Sequence, residues 1–394
     1  MVNIQDIQNA LENIRPFIHK TPLIYSNSFS RLTGAEVFIK AENLQKTGSF
    51  KVRGAFNKMS GFKGGKVIAA SMGNHAQGVA FAAGALGIKA KIVMPTTAPI
   101  VKEEATRNYG AEVVLHGEGF RDALNYALSQ KEYTFIHAFD DEKIIAGQGT
   151  IGLEIIEEIK DIDCILVPVG GGGLVSGIAV AVKALSSKTE IIGVQAEAAT
   201  SAYLSIRKDE ITEKPPSPTL ADGIAISRVG NLTWQIMNKY IDDIILVDED
   251  SIAMAILLFL ERKKLVVEGA GAVALAALIK NMERFKGKKV ALVVSGGNID
   301  FTVIDKIILK GLVTSGRIGV FEVVIDDVPG AFYSVTEIIA CCRSNVLNVV
   351  HDRAAGDLPI GKTRVVFTVE ARGKEHLEAI LSNLKTKGIE VRKR

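Results

Sequence analysis

From residue 37 to residue 313 the chain alternates short, almost wholly apolar runs with longer alanine-rich ones. Residues 67–70 (VIAA), 90–94 (AKIVM), 164–167 (CILV), 191–194 (IIGV) and 290–294 (VALVV) are runs of the first kind. A strand covered on both faces of a parallel sheet reads as a continuous apolar stretch, whereas a half-exposed strand alternates. Residues 76–86 and 174–185 have helical composition and follow such runs. The order predicts an α/β architecture, with mostly parallel sheets and helices on both faces. Residues from about 50 to 145 carry their own strands and read as a smaller lobe set into a larger one. Near residue 315 the pattern changes. Strands at 320–325, 345–352, 363–371 and 389–392 enclose helices at 331–342 and 374–387, with a turn at 326–330. That order is βαββαβ, the ferredoxin-like arrangement. Two domains are expected, residues 1–318 and residues 319–394.

Composition removes several classes of function. The net charge is only +3 and no dense basic block interleaves with aromatics, so no nucleic-acid partner is expected. Three cysteines, Cys164, Cys341 and Cys342, form neither a disulfide framework nor a zinc spacing, which fits a reducing compartment. The first twenty residues lack an apolar signal core and read as an amphipathic helix. The apolar stretch 252–260 is too short to cross a bilayer, so no membrane partner is expected and the location is taken as cytoplasmic.

Four segments carry chemistry. Lys51 lies in Gly48-Ser49-Phe50-Lys51-Val52-Arg53-Gly54-Ala55, flanked by small residues at the mouth of a helix. Its amine can condense with an aldehyde, the usual way a protein holds pyridoxal phosphate. Gly170, Gly171, Gly172 and Gly173 join a strand to a helix. Backbone N–H groups there can converge on a phosphate, helped by the helix dipole; the alternative is a tight βα turn, but a turn needs only one or two glycines and this run has four. The run lacks the Gly-Lys-Ser/Thr of a Walker loop and the spacing of a dinucleotide fold. Ser71-Met72-Gly73-Asn74-His75-Ala76-Gln77-Gly78 also joins a strand to a helix. Its N–H groups suit a carboxylate and Asn74 can donate to a ring oxygen, or the segment is an N-cap with a satisfied histidine. Ser295 ends an apolar strand in Ser295-Gly296-Gly297-Asn298, where α/β ligands sit, or it marks another strand-end turn.

In combination these segments resemble the fold-type II pyridoxal-phosphate enzymes, and within them the threonine/serine dehydratases. The likeness runs in order from residue 1 to about 318, and the ending resembles an ACT domain, a small amino-acid-sensing module. A catalytic domain followed by one ACT domain is similar to the shorter, feedback-regulated form of threonine ammonia-lyase. The resemblance implies that Lys51 carries the cofactor covalently and removes the substrate's α-proton. It places Phe50 against the ring, Asn74 on the ring oxygen, Gly170 to Gly173 with Leu174 around the phosphate, and Ser295 at the pyridine nitrogen. Backbone groups of Ser71, Gly73, Asn74 and His75 would grip the substrate carboxylate. The implied reaction removes water from L-threonine and yields 2-oxobutanoate and ammonia, the first step of isoleucine biosynthesis. L-Serine is a further implied substrate. Serine dehydration, threonine synthesis, β-replacement, and a non-catalytic amino-acid sensor remain the competing readings.

Two positions depart from relatives. Serine racemases of this fold have a serine where this chain has Met72, which cannot act as a second acid/base, so racemisation is not expected. Those relatives also bind a cation through a glutamate matching Glu197 and an aspartate six positions on. That later position is Tyr203 here, so Glu197 is a cation ligand or a plain loop carboxylate, and no metal is assigned. In the last domain, Gly330 and the nearby Asn345 either hold an amino-acid effector between paired ACT domains or are turn residues. Isoleucine, with valine as an alternative, is the effector the resemblance implies. A homodimer or homotetramer is expected.

Overall fold

The computed structural model describes residues 1–62, 64–353 and 357–394. It divides into two compact units, Met1–Ile299 and Asp300–Arg394. The helix Phe301–Thr314 falls in the second unit and packs on the strand Ile318–Asp326 that follows it.

The first unit holds two sheets. The larger runs in the order Leu23–Tyr25, Glu36–Ala41, Lys289–Val294, Cys164–Pro168, Glu190–Ala196, Asp243–Val247. Only Leu23–Tyr25 is antiparallel; each other pair is parallel. The smaller, in the order Glu112–Leu115, Lys89–Met94, Lys66–Ala70, Thr134–Phe135, is parallel throughout. The apolar runs are its strands and those of the larger sheet, and they are buried because helices cover both faces: every residue of Cys164–Pro168 is buried. The N-terminal amphipathic pattern becomes the helix Ile4–Ile14, which buries Ile7, Ala10 and Ile14.

The geometry that places the site is simple. Lys66–Ala70, Cys164–Pro168 and Lys289–Val294 end at Ser71, at the glycine run and at Ser295. Glu36–Ala41 leads through the short turn Glu42–Leu44 toward Lys51. All four singled-out segments therefore lie beyond the carboxyl ends of parallel strands, where loops gather and side chains are free to converge.

The helix Lys51–Met59 is held from behind. It crosses the helix Glu142–Glu158 so closely that a Cβ on Gly147 would come within 2.6 Å of the Gly54 Cα. The same helix carries Arg53, whose fully buried guanidinium bonds Glu42 with Nε and Nη2, each at 2.8 Å, and Glu154 with Nη1 at 2.7 Å and Nη2 at 2.9 Å. Thr150 Oγ1 accepts a further bond at 3.1 Å, and the Lys40 ammonium meets Glu154 at 2.5 Å.

The second unit shows the βαββαβ order read from the sequence. Its antiparallel sheet runs Val346–Asp352, Lys362–Glu370, Ile318–Asp326, Glu390–Lys393, and the helices Ala331–Cys341 and Lys374–Thr386 pack on its core. This is the strand order of a ferredoxin-like fold. Among the described residues no helix is long and apolar enough to cross a membrane.

Candidate active site

Lys51 is the first residue of its helix and is half-buried. Its Nζ donates to the Ala138 carbonyl at 3.1 Å and lies 5.1 Å from the centroid of the Phe50 ring. Burial pushes the amine down to about 8, and the Glu268 carboxylate acts in the opposite direction. A cation is also disfavoured at a helix start, where the dipole is positive. At pH 7 roughly a tenth of such amines are unprotonated, far more than of an ordinary lysine, and the free amine is the form that acts as nucleophile or base.

Backbone pairing brings the distant segments to this lysine. Phe50 N–H donates to the Ser295 carbonyl at 3.0 Å, Ser49 bridges Gly296, and Gly297 N–H donates to the Gly48 carbonyl at 2.9 Å. Ser295 is itself buried. On the other side, a Cβ on Gly78 would lie 3.1 Å from the Lys51 carbonyl carbon, so the helix Asn74–Ala85 passes directly against Lys51.

The turn that accepts the Lys51 bond also backs the glycine run. A Cβ on Gly171 would collide with the Phe139 ring, and one on Gly173 would come within 2.9 Å of Phe139. Gly172 has a left-handed φ of 96° and caps the helix Gly173–Leu185. A Cβ there would also approach Thr233 at 2.9 Å and Met237 at 3.0 Å. These contacts explain why the rear wall needs glycine. They do not explain the front. Among the described residues, the N–H groups of Gly170, Gly171, Gly172, Gly173 and Leu174 make no hydrogen bond, although all but Gly170 are buried. Buried N–H groups without partners are costly and rare. Adjacent ones at a helix start are an anion cradle. The residues therefore fit a phosphate-bearing aldehyde: a donor cradle for the phosphate and a depressed amine for the carbonyl.

The Ser71 segment is partly committed. Ser71 Oγ accepts from Gly73 N–H at 3.2 Å, and the buried His75 ring is satisfied through Nε2 by the Ile136 carbonyl at 2.9 Å. Burial holds His75 down at about 3, so its ring stays neutral. Met72 is exposed. Asn74 Nδ2 bonds both oxygens of Glu268, at 2.8 and 2.9 Å, while its Oδ1 accepts from Asn298 Nδ2 at 2.8 Å.

Glu268 and the 137–140 turn were not singled out from the sequence, and Asn298 entered there only as the end of the Ser295 segment, with no role of its own. Glu268 had a local signal: an isolated carboxylate in Val266-Val267-Glu268-Gly269-Ala270, flanked by apolar and small residues. It stands at the start of the helix Gly269–Lys280 yet its side chain makes no capping bond.

Elsewhere, Glu197 accepts from the Lys280 ammonium at 3.1 Å, which also meets Asp248 at 2.9 Å. Among the described residues no group of three or more His, Cys, Asp or Glu side chains could hold a metal. In the second unit, Gly330, with φ of 91°, lines a cavity of about 280 Å³ together with Asp327, His351 and Arg353. Asn345 was placed near Gly330 by the sequence reading, and the structure corrects this. It precedes the strand Val346–Asp352 and bonds Glu370 at 3.1 Å, while His351, at the far end of that strand, reaches the cavity. Six strand residues span roughly 20 Å.

Comparison with known proteins bears on the whole chain. L-threonine ammonia-lyase of Thermotoga maritima is 47% identical over 399 aligned residues, covering 100% of this chain and 99% of that protein. The Escherichia coli protein named L-threonine dehydratase catabolic TdcB is 45% identical over 315 residues, covering 78% of this chain and 96% of its own length. Among solved structures, the T.th. threonine deaminase has a TM-score of 0.73 at 43% identity, covering 76% of this chain and 99% of that one. The family model described as "Pyridoxal-phosphate dependent enzyme" matches residues 14–296, a span that takes in Lys51, the glycine run and Ser295, and the chain belongs to that family.

Proposed function

We propose that this enzyme deaminates L-threonine to 2-oxobutanoate and ammonia by β-elimination of water, that the reaction opens isoleucine biosynthesis, and that L-serine is a second substrate. The observation that carries the reading is the Lys51 amine, half-buried and lowered to about 8, at the meeting point of three segments. The names of the full-length relatives support threonine as the substrate. Pyridoxal phosphate, when bound, supplies an aldehyde for the substrate's nitrogen and a ring that accepts electrons.

The chain supplies the rest. The N–H groups of Gly170, Gly171, Gly172, Gly173 and Leu174 hold the phosphate, and Phe50 packs beside the ring. Lys51 would hold the cofactor's carbonyl and, with its amine free, would take the substrate's α-proton. Asn74 faces the ring oxygen. Ser295 would face the ring nitrogen, and a neutral hydroxyl there would leave that nitrogen less fully protonated than an aspartate would. That favours prompt loss of the β-hydroxyl over transamination. The start of the helix Asn74–Ala85, with Ser71, Gly73, Asn74 and His75, receives the substrate carboxylate on N–H groups and a positive dipole end.

Purified enzyme given L-threonine is expected to form keto acid with no added nucleophile. Product that appears only with an added thiol would identify a β-replacement enzyme and end the reading. Borohydride reduction in the presence of pyridoxal phosphate should place the label on Lys51. Gly172→Ala forces a Cβ into left-handed backbone, which costs about 1–2 kcal/mol. The variant should bind pyridoxal phosphate at least about tenfold more weakly, a loss of about 1.4 kcal/mol; absorbance titration checks this.

The ending, residues 319–394, is read as an ACT regulatory domain, supported by its element order. Gly330 lines its cavity, and Asn345 sits at the opposite end of the strand, so an effector touching both bridges two copies of the domain. Isoleucine is the proposed inhibitor, and a homodimer or homotetramer follows from that pairing. Threonine turnover measured with and without isoleucine and valine tests this part.

A further inference from the structure

Glu268 is a charged group that the reaction outlined above does not use. It is 5% exposed, and both of its oxygens are met by the uncharged amide of Asn74. A carboxylate at a helix start ordinarily turns to the free N–H groups there, and this one does not. Gly296 makes the detour possible: a Cβ at Gly296 would collide with Glu268 Oε1 and lie 3.2 Å from Asn74 Nδ2. The clamp continues on the other side of Asn74. Its Oδ1 accepts from Asn298 Nδ2, which also donates to the Thr47 carbonyl at 2.8 Å. Thr47, Asn298, Asn74 and Glu268 thus form one hydrogen-bonded chain through three of the site's segments. Thr47 lies just before the Lys51 helix.

This arrangement sets up a competition. In the reading proposed above, Asn74 offers an N–H to the ring oxygen of the cofactor, which is an anion when ionised. An ionised Glu268 already holds that amide by two charge-assisted bonds, and two anions cannot both be well served by one amide. Protonation of Glu268 removes one acceptor and frees an N–H. We propose that Glu268 is a positioning residue whose protonation releases the Asn74 amide to the cofactor ring, so that cofactor binding takes up a proton at Glu268.

The surroundings agree. The charged groups facing Glu268 are Asp222 from the turn Asp222–Ile224, Lys102 from the helix Ile100–Asn108, and Lys51. Lys102 is itself paired with Asp222 at 3.1 Å. Burial raises Glu268 to about 7, against the bond from Asn74. The proton is therefore exchangeable in the working range of an ordinary enzyme. An anionic ring oxygen beside Asn74 moves the equilibrium further toward the protonated carboxyl.

The inference rests on the cofactor site described under the proposed function, and its test separates the two. The probe is pyridoxine 5′-phosphate, which has the ring oxygen and the phosphate but no aldehyde, so that the Lys51 amine forms no bond with it. Its affinity for the full-length protein freed of pyridoxal phosphate is measured by fluorescence from pH 6 to pH 8.5, in the wild type and in Glu268→Gln. The amide introduced by Glu268→Gln cannot ionise, so the variant mimics the protonated state. Above pH 7 the wild-type affinity should fall more steeply than that of Glu268→Gln, by up to about tenfold per pH unit, the slope of one linked proton. Changes in the ionisation of the probe and of Lys51 are common to both proteins and cancel in the comparison. Parallel pH profiles would overturn the role of Glu268. Failure of the probe to bind either protein at any pH would instead overturn the cofactor site itself, and the proposal with it. Should Glu268→Gln not fold, the same profiles are compared between the wild type and Glu268→Ala, in which no carboxyl titrates at this position: a steeper wild-type fall above pH 7 supports the proposal and parallel profiles overturn it.

Discussion

Lys51→Ala is expected to lower threonine turnover by at least about 10³-fold, within the range of removing a general acid/base and beyond that of a lost contact. The reason is the coincidence of three conditions on one nitrogen. It sits at a helix start, where a cation is disfavoured; it is half-buried, so its proton is loosely held; and, bonded to the Ala138 carbonyl, it lies beside the Phe50 ring. The helix itself should survive, because alanine is a better helix former than lysine and the packing contacts lie on Gly54 and Arg53. The variant should still take up pyridoxal phosphate through residues 170–174, and borohydride should leave nothing attached to the chain.

The same amine predicts a pH dependence. An ordinary lysine becomes a free amine only near pH 10.5, whereas Lys51 does so near 8. The rate at which protein freed of cofactor captures pyridoxal phosphate should rise with pH and level off above about 8. Stopped-flow absorbance measures it. A rise that continues to pH 10 would mean that Lys51 is as well hydrated as a surface lysine. Turnover by Lys51→Ala within tenfold of the wild type would show that another group does the work.

How much of this could be read from the residues depends on how local the cause is. The buried strands were legible because burial on both faces writes a continuous apolar run into five or six adjacent residues, as in Cys164–Pro168 and Lys289–Val294. Lys51, the glycine run and Ser295 could be singled out as candidates because each is a short segment whose chemistry depends on its immediate neighbours. What could not be read is what packing joins at long range. Asn74 and Glu268 are 194 positions apart, and nothing in either segment names the other. Gly330 and Asn345 looked close because fifteen positions separate them, yet a strand running the other way carries His351, not Asn345, to the cavity. The glycine run had a second cause that only packing reveals, since Phe139 closes its rear wall while its N–H groups stay open in front.

Arg53 shows the same limit and yields the second large effect. In the sequence it is a basic residue two places after Lys51. In the structure those two places turn the helix by roughly 200°, so Arg53 points away from the site into the core. There it makes five hydrogen bonds to Glu42, Glu154 and Thr150. Burial opposes all of these charges, yet Glu42 and Glu154 keep the guanidinium firmly protonated, and Arg53 holds Glu42 below the usual carboxylate range. Arg53→Ala leaves two buried carboxylates with one ammonium, that of Lys40, and, on Glu42, the Thr21 hydroxyl, so the first unit should lose about 3–5 kcal/mol. Trp234, the chain's one tryptophan, lies in that unit and reports its unfolding. With a urea dependence of roughly 3 kcal/mol per molar, the midpoint should fall by roughly 1–1.7 M. Urea is the right denaturant because guanidinium salts would screen the charges being tested. Arg53→Lys should recover only part of the loss, since an ammonium cannot serve two carboxylates with paired, planar bonds. A loss under 1 kcal/mol in Arg53→Ala would mean that water or a neighbouring cation can reach the two carboxylates, and that the Lys51 helix is held mainly by its contact at Gly54 and Gly147.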